Sequence, residues 1–318
     1  MRPCTRLLAA AALAWPAFAL ADPVGFAVGS GGDGFGGSSI LYSVDLATGQ
    51  ATAVGPIGYV DVEGAALSPD GVLYAVADAG LACEGACGPT PTDLLLRIDT
   101  NTGQGSVAGA LGLAGQGSGG NLDYGLAFTC DGSLWLSSDT TGQLWQVNPA
   151  NGASQLSGTL GAPVSGLAGF GDALFGISVA SDHALYRINP AAGTAERIGA
   201  LGLPLAFYDA GLDFDAAGQL WATIDYWVPP PPNDLPEVER NDVALIDPDS
   251  GAASIVAAVV GNGFDASTVQ MEGLALAAGA GCAVAPAAAV NVPVDRPLAL
   301  LVLAGLLLGL AALRLRNQ

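Results

Sequence analysis

The stretch YSVDLATG at residues 42–49 combines the signature of a strand with that of a tight turn. Alternating apolar residues lead to an Asp whose side chain can bond the backbone two residues on, and a Gly closes the turn with a positive φ. Further copies of this pattern end at Gly103, Gly152, Gly193 and Gly251. Because self-similarity at intervals of about 40–60 residues marks a repeat architecture, the sequence predicts five repeated β units.

A second pattern lies between these copies and predicts a hairpin. It begins at a Gly, alternates apolar residues, turns at another Gly and ends in Leu and an aromatic residue. Copies occupy 64–74, 125–135 and 211–221, with a shorter one at 166–175. A fifth copy begins at Gly273 but lacks its second half, which residues 24–28 near the N-terminus match. We therefore expect the last repeat to contribute its first strand to the first repeat.

These two patterns predict an all-β fold, a β-propeller of five four-stranded blades over residues 22–282 that is closed by shared N- and C-terminal strands. The repeat style resembles NHL-type and gluconolactonase-type propellers, and the resemblance implies that the Gly-initiated strand is innermost in each blade. An open β-solenoid is the alternative, although a solenoid would not need shared termini.

The N-terminus has the pattern of a secretory signal peptide. Arg2 and Arg6 precede an apolar run over residues 7–20, and Ala19-Leu20-Ala21 forms a small-x-small cleavage site. Residues 1–21 are therefore predicted to be removed on export. An uncleaved anchor helix is the alternative, but the run is short for a membrane span.

The C-terminal residues 297–318 are predicted to form a hydrophobic helix, because an uncharged apolar run precedes Arg314 and Arg316. Arginines directly after such a run favour a cytoplasmic end, which would leave the preceding domain outside. The Ala- and Pro-rich residues 283–296 are predicted to be a spacer between the propeller and this segment.

The stretch 292–316 resembles the PEP-CTERM and IPTL-CTERM sorting tails of Gram-negative bacteria. Such tails have a short Pro-containing motif, an apolar helix and terminal arginines, although Pro293-Val294-Asp295 stands here in place of Pro-Glu-Pro. The resemblance implies retention in the membrane, processing by an exosortase-type enzyme and a location in the cell envelope or at the cell surface. The alternative is a plain C-terminal membrane anchor.

The charge composition excludes one large class of partners. The chain has a formal net charge of −20, and its nine positive side chains are all Arg. An acidic surface repels phosphate backbones, so we expect no nucleic-acid partner.

Acidic residues precede several of the Gly-initiated strands. Glu63 and Glu272 directly precede Gly64 and Gly273, and Asp61, Asp123 and Asp209 lie slightly further upstream of their own glycines. In a propeller these positions converge at one end of the central channel. Carboxylates that meet there repel one another unless protons or a cation neutralise them, and hard oxygen ligands suit Ca²⁺. Glu63, Asp123, Asp209 and Glu272 are therefore a candidate metal site, with a solvated acidic rim as the alternative.

The cysteines indicate an oxidising compartment. Cys4 belongs to the signal peptide, and the mature chain keeps Cys83, Cys87, Cys130 and Cys282, an even number in an exported protein. Cys83 and Cys87 share a long loop, which favours a disulfide between them. The sequence leaves the pairing of Cys130 and Cys282 open.

Signals for catalysis are few. His183 is the single histidine and follows Asp182 on a loop, and neither a Gly-x-Ser-x-Gly elbow nor a His-x-x-x-His pair is present. The sequence favours a non-enzymatic, exported and envelope-sorted or membrane-tethered module that binds an extracellular ligand or belongs to a surface matrix. The alternative is a calcium-dependent hydrolase or lactonase that uses the acidic end of the channel.

Overall fold

The computed structural model describes residues 23–31, 38–77, 92–113, 123–179, 182–226, 240–265, 269–276 and 281–282. These residues form strands and turns, and they contain no helix that is long and apolar enough to cross a membrane. The signal peptide, the spacer and the C-terminal hydrophobic segment lie outside the described residues. Their predicted boundaries stay predictions.

Five sheets form the blades of a propeller, and the four main strands of each blade are antiparallel. Blade 1 consists of β21 (Val269–Ala275), β1 (Val24–Gly31), β2 (Ile40–Asp45) and β3 (Gln50–Pro56), from the centre outward. Blade 2 consists of β4 (Val62–Leu67), β5 (Leu73–Ala77), β6 (Leu94–Ile98) and β7 (Gly105–Ala110). Blade 3 consists of β8 (Tyr124–Phe128), β9 (Leu134–Ser138), β10 (Gln143–Val147) and β11 (Ser154–Thr159).

The remaining blades follow the same order. Blade 4 consists of β12 (Val164–Phe170), β13 (Ala173–Ser178), β14 (Ala184–Asn189) and β15 (Thr194–Ala200). Blade 5 consists of β16 (Asp209–Phe214), β17 (Leu220–Asp225), β18 (Asn241–Ile246) and β19 (Ala253–Ala258). A short strand that the sequence did not predict, β20 (Val260–Asn262), pairs in parallel with β3 at the outer edge of blade 1.

The shared blade is confirmed. Strand β21, which comes last in the chain, pairs antiparallel with β1, which comes first, with Phe26 opposite Ala275 and Val28 opposite Gly273. The inner strand of blade 1 therefore comes from the C-terminal end of the domain, and the ring is closed by backbone hydrogen bonds.

The repeated turn has the predicted chemistry. In the first copy, Asp45 Oδ1 accepts hydrogen bonds from the backbone N–H groups of Ala47 and Thr48, at 3.0 and 3.1 Å. Gly49 then adopts a φ of 72°, a left-handed conformation that costs Gly little. The later copies use Asp99, Asn148, Asn189 and Asp247 in the same way.

Glycines at the centre allow the inner strands to approach closely. A Cβ atom at Gly64, Gly125 or Gly166 would lie 2.5 Å from a backbone oxygen of the next inner strand. At Gly211 and Gly273 the added atom would meet the backbone of β21 and β4, at 2.5 and 2.8 Å. The five glycines therefore describe a closed ring in the order β4, β8, β12, β16 and β21. The layer they form leaves no room for a water molecule in the channel.

The core lies between adjacent blades, with one apolar cluster at each of the five interfaces. The aromatic residues of the second pattern are buried in these interfaces, and they are Tyr74, Trp135, Phe175 and Trp221. Two of the buried indole N–H groups have side-chain acceptors, since Trp135 donates to Thr129 Oγ1 and Trp221 donates to Asp215 Oδ2, both at 3.0 Å. Interfaces of this kind hold the described blades together.

Candidate functional site

Alternating strand directions give the ring two different faces. The short turns after the inner strands, such as residues 68–71 and 129–132, lie on one face, together with the Asp/Asn–Gly turns; we call it the turn face. The inner strands begin on the opposite face. The second strand of each blade, counted from the centre, ends on that same face. We call this the mouth face, because the central channel opens there beside the starts of the inner strands.

Seven carboxylate side chains gather on the mouth face and interact electrostatically with one another. We call this set the acidic mouth, and its members are Asp61, Glu63, Asp123, Asp139, Asp209, Asp225 and Glu272. The structure thus brings the four residues of the predicted metal site into one cluster. Three of these four, Glu63, Asp209 and Glu272, are more than nine-tenths buried.

Two members of the acidic mouth have a strained backbone. Asp61 and Asp123 adopt φ angles of 49° and 45°, and they are the described non-glycine residues with positive φ. Such conformations cost free energy, are tolerated best by Asp and Asn, and concentrate at functional sites. Both residues lie just before an inner strand, where the left-handed turn leads the chain into the channel wall.

Burial raises the pKa of the acidic mouth. The pKa values of Glu63, Asp123, Asp209 and Glu272 lie well above those of ordinary carboxyls, first because burial disfavours the charged form and then because neighbouring carboxylates repel it. Asp139 also has a raised pKa because of burial, and it shares a hydrogen bond with Asp123.

Hydrogen bonds fix three of the carboxylates through one oxygen each. Glu63 Oε2 accepts the backbone N–H of Tyr124 from the next blade at 2.9 Å. Asp209 Oδ1 accepts the N–H of Ala210, and Glu272 Oε1 accepts the hydroxyl of Ser30, both at 2.6 Å. The second oxygens of Asp209 and Glu272 are buried and make no hydrogen bond.

The sequence interpretation missed Asp139 and Asp225. Both lie where a second strand ends, and Asp225 sits directly opposite Asp209 in the register of β16 and β17. Asp139 follows Ser138, which pairs with Tyr124, so Asp139 lies beside Asp123. Counting residues in both directions from the Gly turn of each hairpin would have placed both carboxylates at the mouth.

The predicted metal site stays a prediction. In the described ranges, no group of three or more His, Cys, Asp or Glu side chains is arranged to hold a metal ion.

The structure describes one pairing of the cysteines. Cys130, in the turn between β8 and β9, is bonded to Cys282, which follows β21. This pairing was left open by the sequence. The disulfide predicted between Cys83 and Cys87 falls outside the described residues and stays a prediction.

The pKa shifts predict an unusual dependence of stability on pH. In the unfolded chain these carboxyls titrate near their ordinary values, whereas the folded chain keeps their protons to higher pH. At pH values between the unfolded-state pKa and the folded-state pKa, the folded state binds more protons than the unfolded state does. The free energy of unfolding therefore falls as pH rises. We expect the thermal midpoint to be higher at pH 5.5 than at pH 7.5.

Calorimetry on the wild type and on Glu272→Gln measures this dependence. The variant lacks one of the repelling charges, so its midpoint should exceed that of the wild type at pH 7.5 and converge with it at pH 5.5. Exposed acids with a lowered pKa, such as Asp99 and Asp247, lose their contribution to stability only as pH falls below about 4. They therefore do not affect the comparison between pH 5.5 and pH 7.5. A wild-type midpoint that falls steadily from pH 7.5 to 5.5 would contradict the assignment.

Comparisons with known proteins found one family model and several solved structures. A family model described as "Repeat of unknown function (DUF6923)" matches residues 68–222, from the turn after β4 into β17. No curated protein matches the chain.

Solved structures show likeness in fold. TolB from Acinetobacter baumannii is 16% identical with a TM-score of 0.40, and the match covers 73% of this chain and 52% of TolB. A chain of a nidogen/laminin complex is 12% identical with a TM-score of 0.46, covering 73% and 77%. A structural genomics protein of unknown function from Bacteroides thetaiotaomicron is 15% identical with a TM-score of 0.40, covering 59% and 51%. The chain thus spans about half the length of TolB, and the likeness concerns the fold alone.

Proposed function

We propose that this chain is an exported, non-enzymatic β-propeller that binds a cationic ligand at the acidic mouth. The observation that carries the proposal is the state of Asp209 and Glu272. Each carboxylate is buried, is fixed by a hydrogen bond to one oxygen, and leaves its second oxygen without a partner. Buried polar atoms without partners cost stability, so a site that retains two of them on neighbouring strands is suited to a ligand that supplies positive charge.

Export and tethering are part of this proposal. The disulfide between Cys130 and Cys282 supports it, because disulfides persist in oxidising compartments outside the cytoplasm. In the proposed arrangement the signal peptide directs export, and residues 297–318 hold the chain in the envelope or are processed by an exosortase-type enzyme. The net charge of −20 adds a long-range attraction for cations.

A calcium-dependent hydrolase or lactonase has less support. His183 is already engaged, since its Nε2 lies 3.1 Å from the carbonyl oxygen of Phe207 and its ring packs on the Phe207 ring. Catalysis would then depend on carboxylates for both metal binding and proton transfer. We therefore favour binding over hydrolysis.

Thermal melting with a panel of cations tests the proposal. A ligand that binds only the folded chain stabilises it by about 2.7 kcal/mol at a hundredfold excess over Kd, which raises the midpoint of a domain of this size by roughly 5–10 °C. We expect at least one of Ca²⁺, Mg²⁺, K⁺ and n-butylammonium to give such a shift at constant ionic strength, and the shift to be much smaller in Asp209→Asn.

The matched control is Asp249→Asn, which removes an exposed carboxylate in a turn on the opposite face. This variant should respond as the wild type does. Equal responses of the wild type, Asp209→Asn and Asp249→Asn would mean general screening of an acidic surface, and the proposed site would be wrong.

A further inference from the structure

Three buried oxygen atoms without hydrogen-bond partners lie on three consecutive inner strands. They are Ser165 Oγ of β12, Asp209 Oδ2 of β16 and Glu272 Oε2 of β21. Ser165 lies close enough to Asp209 to stabilise its charged form, although no hydrogen bond of normal geometry joins the two side chains. Asp209 and Glu272 in turn repel each other. The three acceptors therefore form one group at the side of the acidic mouth where blades 4, 5 and 1 meet.

The two carboxylates of this group cannot easily rotate away. Asp209 is held by the backbone N–H of Ala210, and Glu272 is held by Ser30 on the neighbouring strand β1. Each carboxylate therefore presents one oxygen to the group while the other oxygen stays occupied. A site that offers single oxygens in fixed positions is selective for the number and direction of the donors it receives.

We infer that this group binds a primary ammonium, either the side chain of a lysine or a free alkylamine. The inference rests on the proposed function and names its ligand. A primary ammonium has three N–H donors and no acceptor, so three acceptors satisfy it completely. Calcium requires six to eight oxygen ligands, and no described set of three or more acidic, His or Cys side chains is arranged around a common ion position.

Two exposed apolar side chains lie just before Asp209 in the chain and are candidates to contact the alkyl stem of such a ligand. Tyr208 directly precedes Asp209 and is exposed, and Leu205 in the same loop is also exposed. The N–H of Tyr208 donates to the carbonyl oxygen of Asp225 at 3.0 Å, which fixes the backbone beside the mouth. An aromatic face next to carboxylates attracts an ammonium and covers the methylene groups behind it.

Burial of the three oxygens has a kinetic consequence. Because these atoms are buried in the free chain, the ammonium enters only after a local rearrangement uncovers them, and it loses its hydration shell on entry. Binding that requires such a change is slower than the usual 10⁵–10⁷ M⁻¹s⁻¹ of association.

Calorimetric titration of the full chain tests the inference with four probes. These are n-butylammonium, Nα-acetyl-lysine-N-methylamide, the same compound acetylated at Nε, and tetramethylammonium. We expect the first two to bind and the last two not to bind, since acetylation removes the charge and tetramethylammonium has no N–H donor. A lysine amide that binds at least tenfold more tightly than butylammonium points to a protein partner, and the reverse order points to a free amine.

Variants locate the binding group. Ser165→Ala removes one neutral acceptor and should weaken butylammonium binding about tenfold, because hydrogen bonds to charged groups are the stronger ones. Ser106→Ala, which alters an exposed hydroxyl on the outer strand β7, is the matched control and should bind as the wild type does. Circular dichroism verifies that both variants fold.

The outcomes separate this inference from the proposed function. If Ca²⁺ binds in an Asp209-dependent way and no primary ammonium binds, the inference is wrong and the proposed function stands. If no cation binds, both are wrong. The inference of a three-acceptor site would also be wrong if tetramethylammonium bound as strongly as butylammonium. It would be wrong as well if Ser165→Ala bound butylammonium with unchanged affinity.

Discussion

Deletion of residues 271–282 is expected to abolish the cooperative unfolding of the propeller. The deletion removes most of β21, the inner strand of blade 1, and with it the contacts that β21 makes with β16 and β4 on either side. Strand β1 would then present an unpaired edge inside an open ring, and exposed edges of this kind template aggregation. Calorimetry and size-exclusion chromatography should show a broad, weak transition and large aggregates.

Two controls isolate the effect of the strand. A chain that ends at Cys282 keeps the whole ring and should melt cooperatively. The full chain with Cys282→Ser lacks the disulfide but keeps β21, so it measures the part of the loss that comes from the missing bond. If the deletion variant melts as cooperatively and as high as Cys282→Ser, closure of the ring by β21 is not required for stability.

The fold was accessible from the sequence because its determinants are local and recur. The Asp45–Gly49 turn is defined by a side chain and a backbone angle within a few residues, and four further copies made the period visible. The shared blade followed from the phase of the repeats, since the half that is missing after Gly273 reappears at 24–28. By contrast, β20 is three residues long and is held by β3, so no local pattern marks it.

The acidic mouth could be predicted only in part. Residues just before an inner strand converge in any propeller, which placed Glu63, Asp123, Asp209 and Glu272 together. The contributions of Asp139 and Asp225 depend on hairpin register, which the sequence interpretation did not count. Which oxygens keep a hydrogen-bond partner, as Glu272 does with Ser30, depends on side-chain directions across strands that are 242 positions apart.

The pairing of Cys130 with Cys282 was inaccessible for a similar reason. The two cysteines are separated by 152 residues, and their encounter depends on where the chain goes after it leaves β21. Strand β21 starts at the mouth face and ends at the turn face, and Cys130 lies in a turn on that same face. Gly281, directly before Cys282, packs against Phe170 of blade 4. The disulfide therefore ties the end of the ring-closing strand to a blade on the far side of the ring.

Loss of this disulfide is expected to lower stability by a large amount. A cross-link that closes a loop of this length restricts the unfolded chain by about 5 kcal/mol in the chain-entropy model. At roughly 2–4 °C per kcal/mol, Cys130→Ser with Cys282→Ser should lower the thermal midpoint by about 10 °C or more. The unfolding rate should rise as well, because the end of β21 is no longer held and the ring can open from its last strand.

Calorimetry with and without a reducing agent checks this prediction. Reduction should lower the midpoint of the wild type at least to that of the oxidised double Ser variant. A further drop of the double variant on reduction would report a bond between Cys83 and Cys87, and a matched Cys83→Ser, Cys87→Ser variant measures that contribution separately. Equal midpoints for the wild type and the Cys130, Cys282 variant under oxidising conditions would mean that β21 closes the ring without covalent help, because its pairing with β1 and its packing against β4 and β16 suffice.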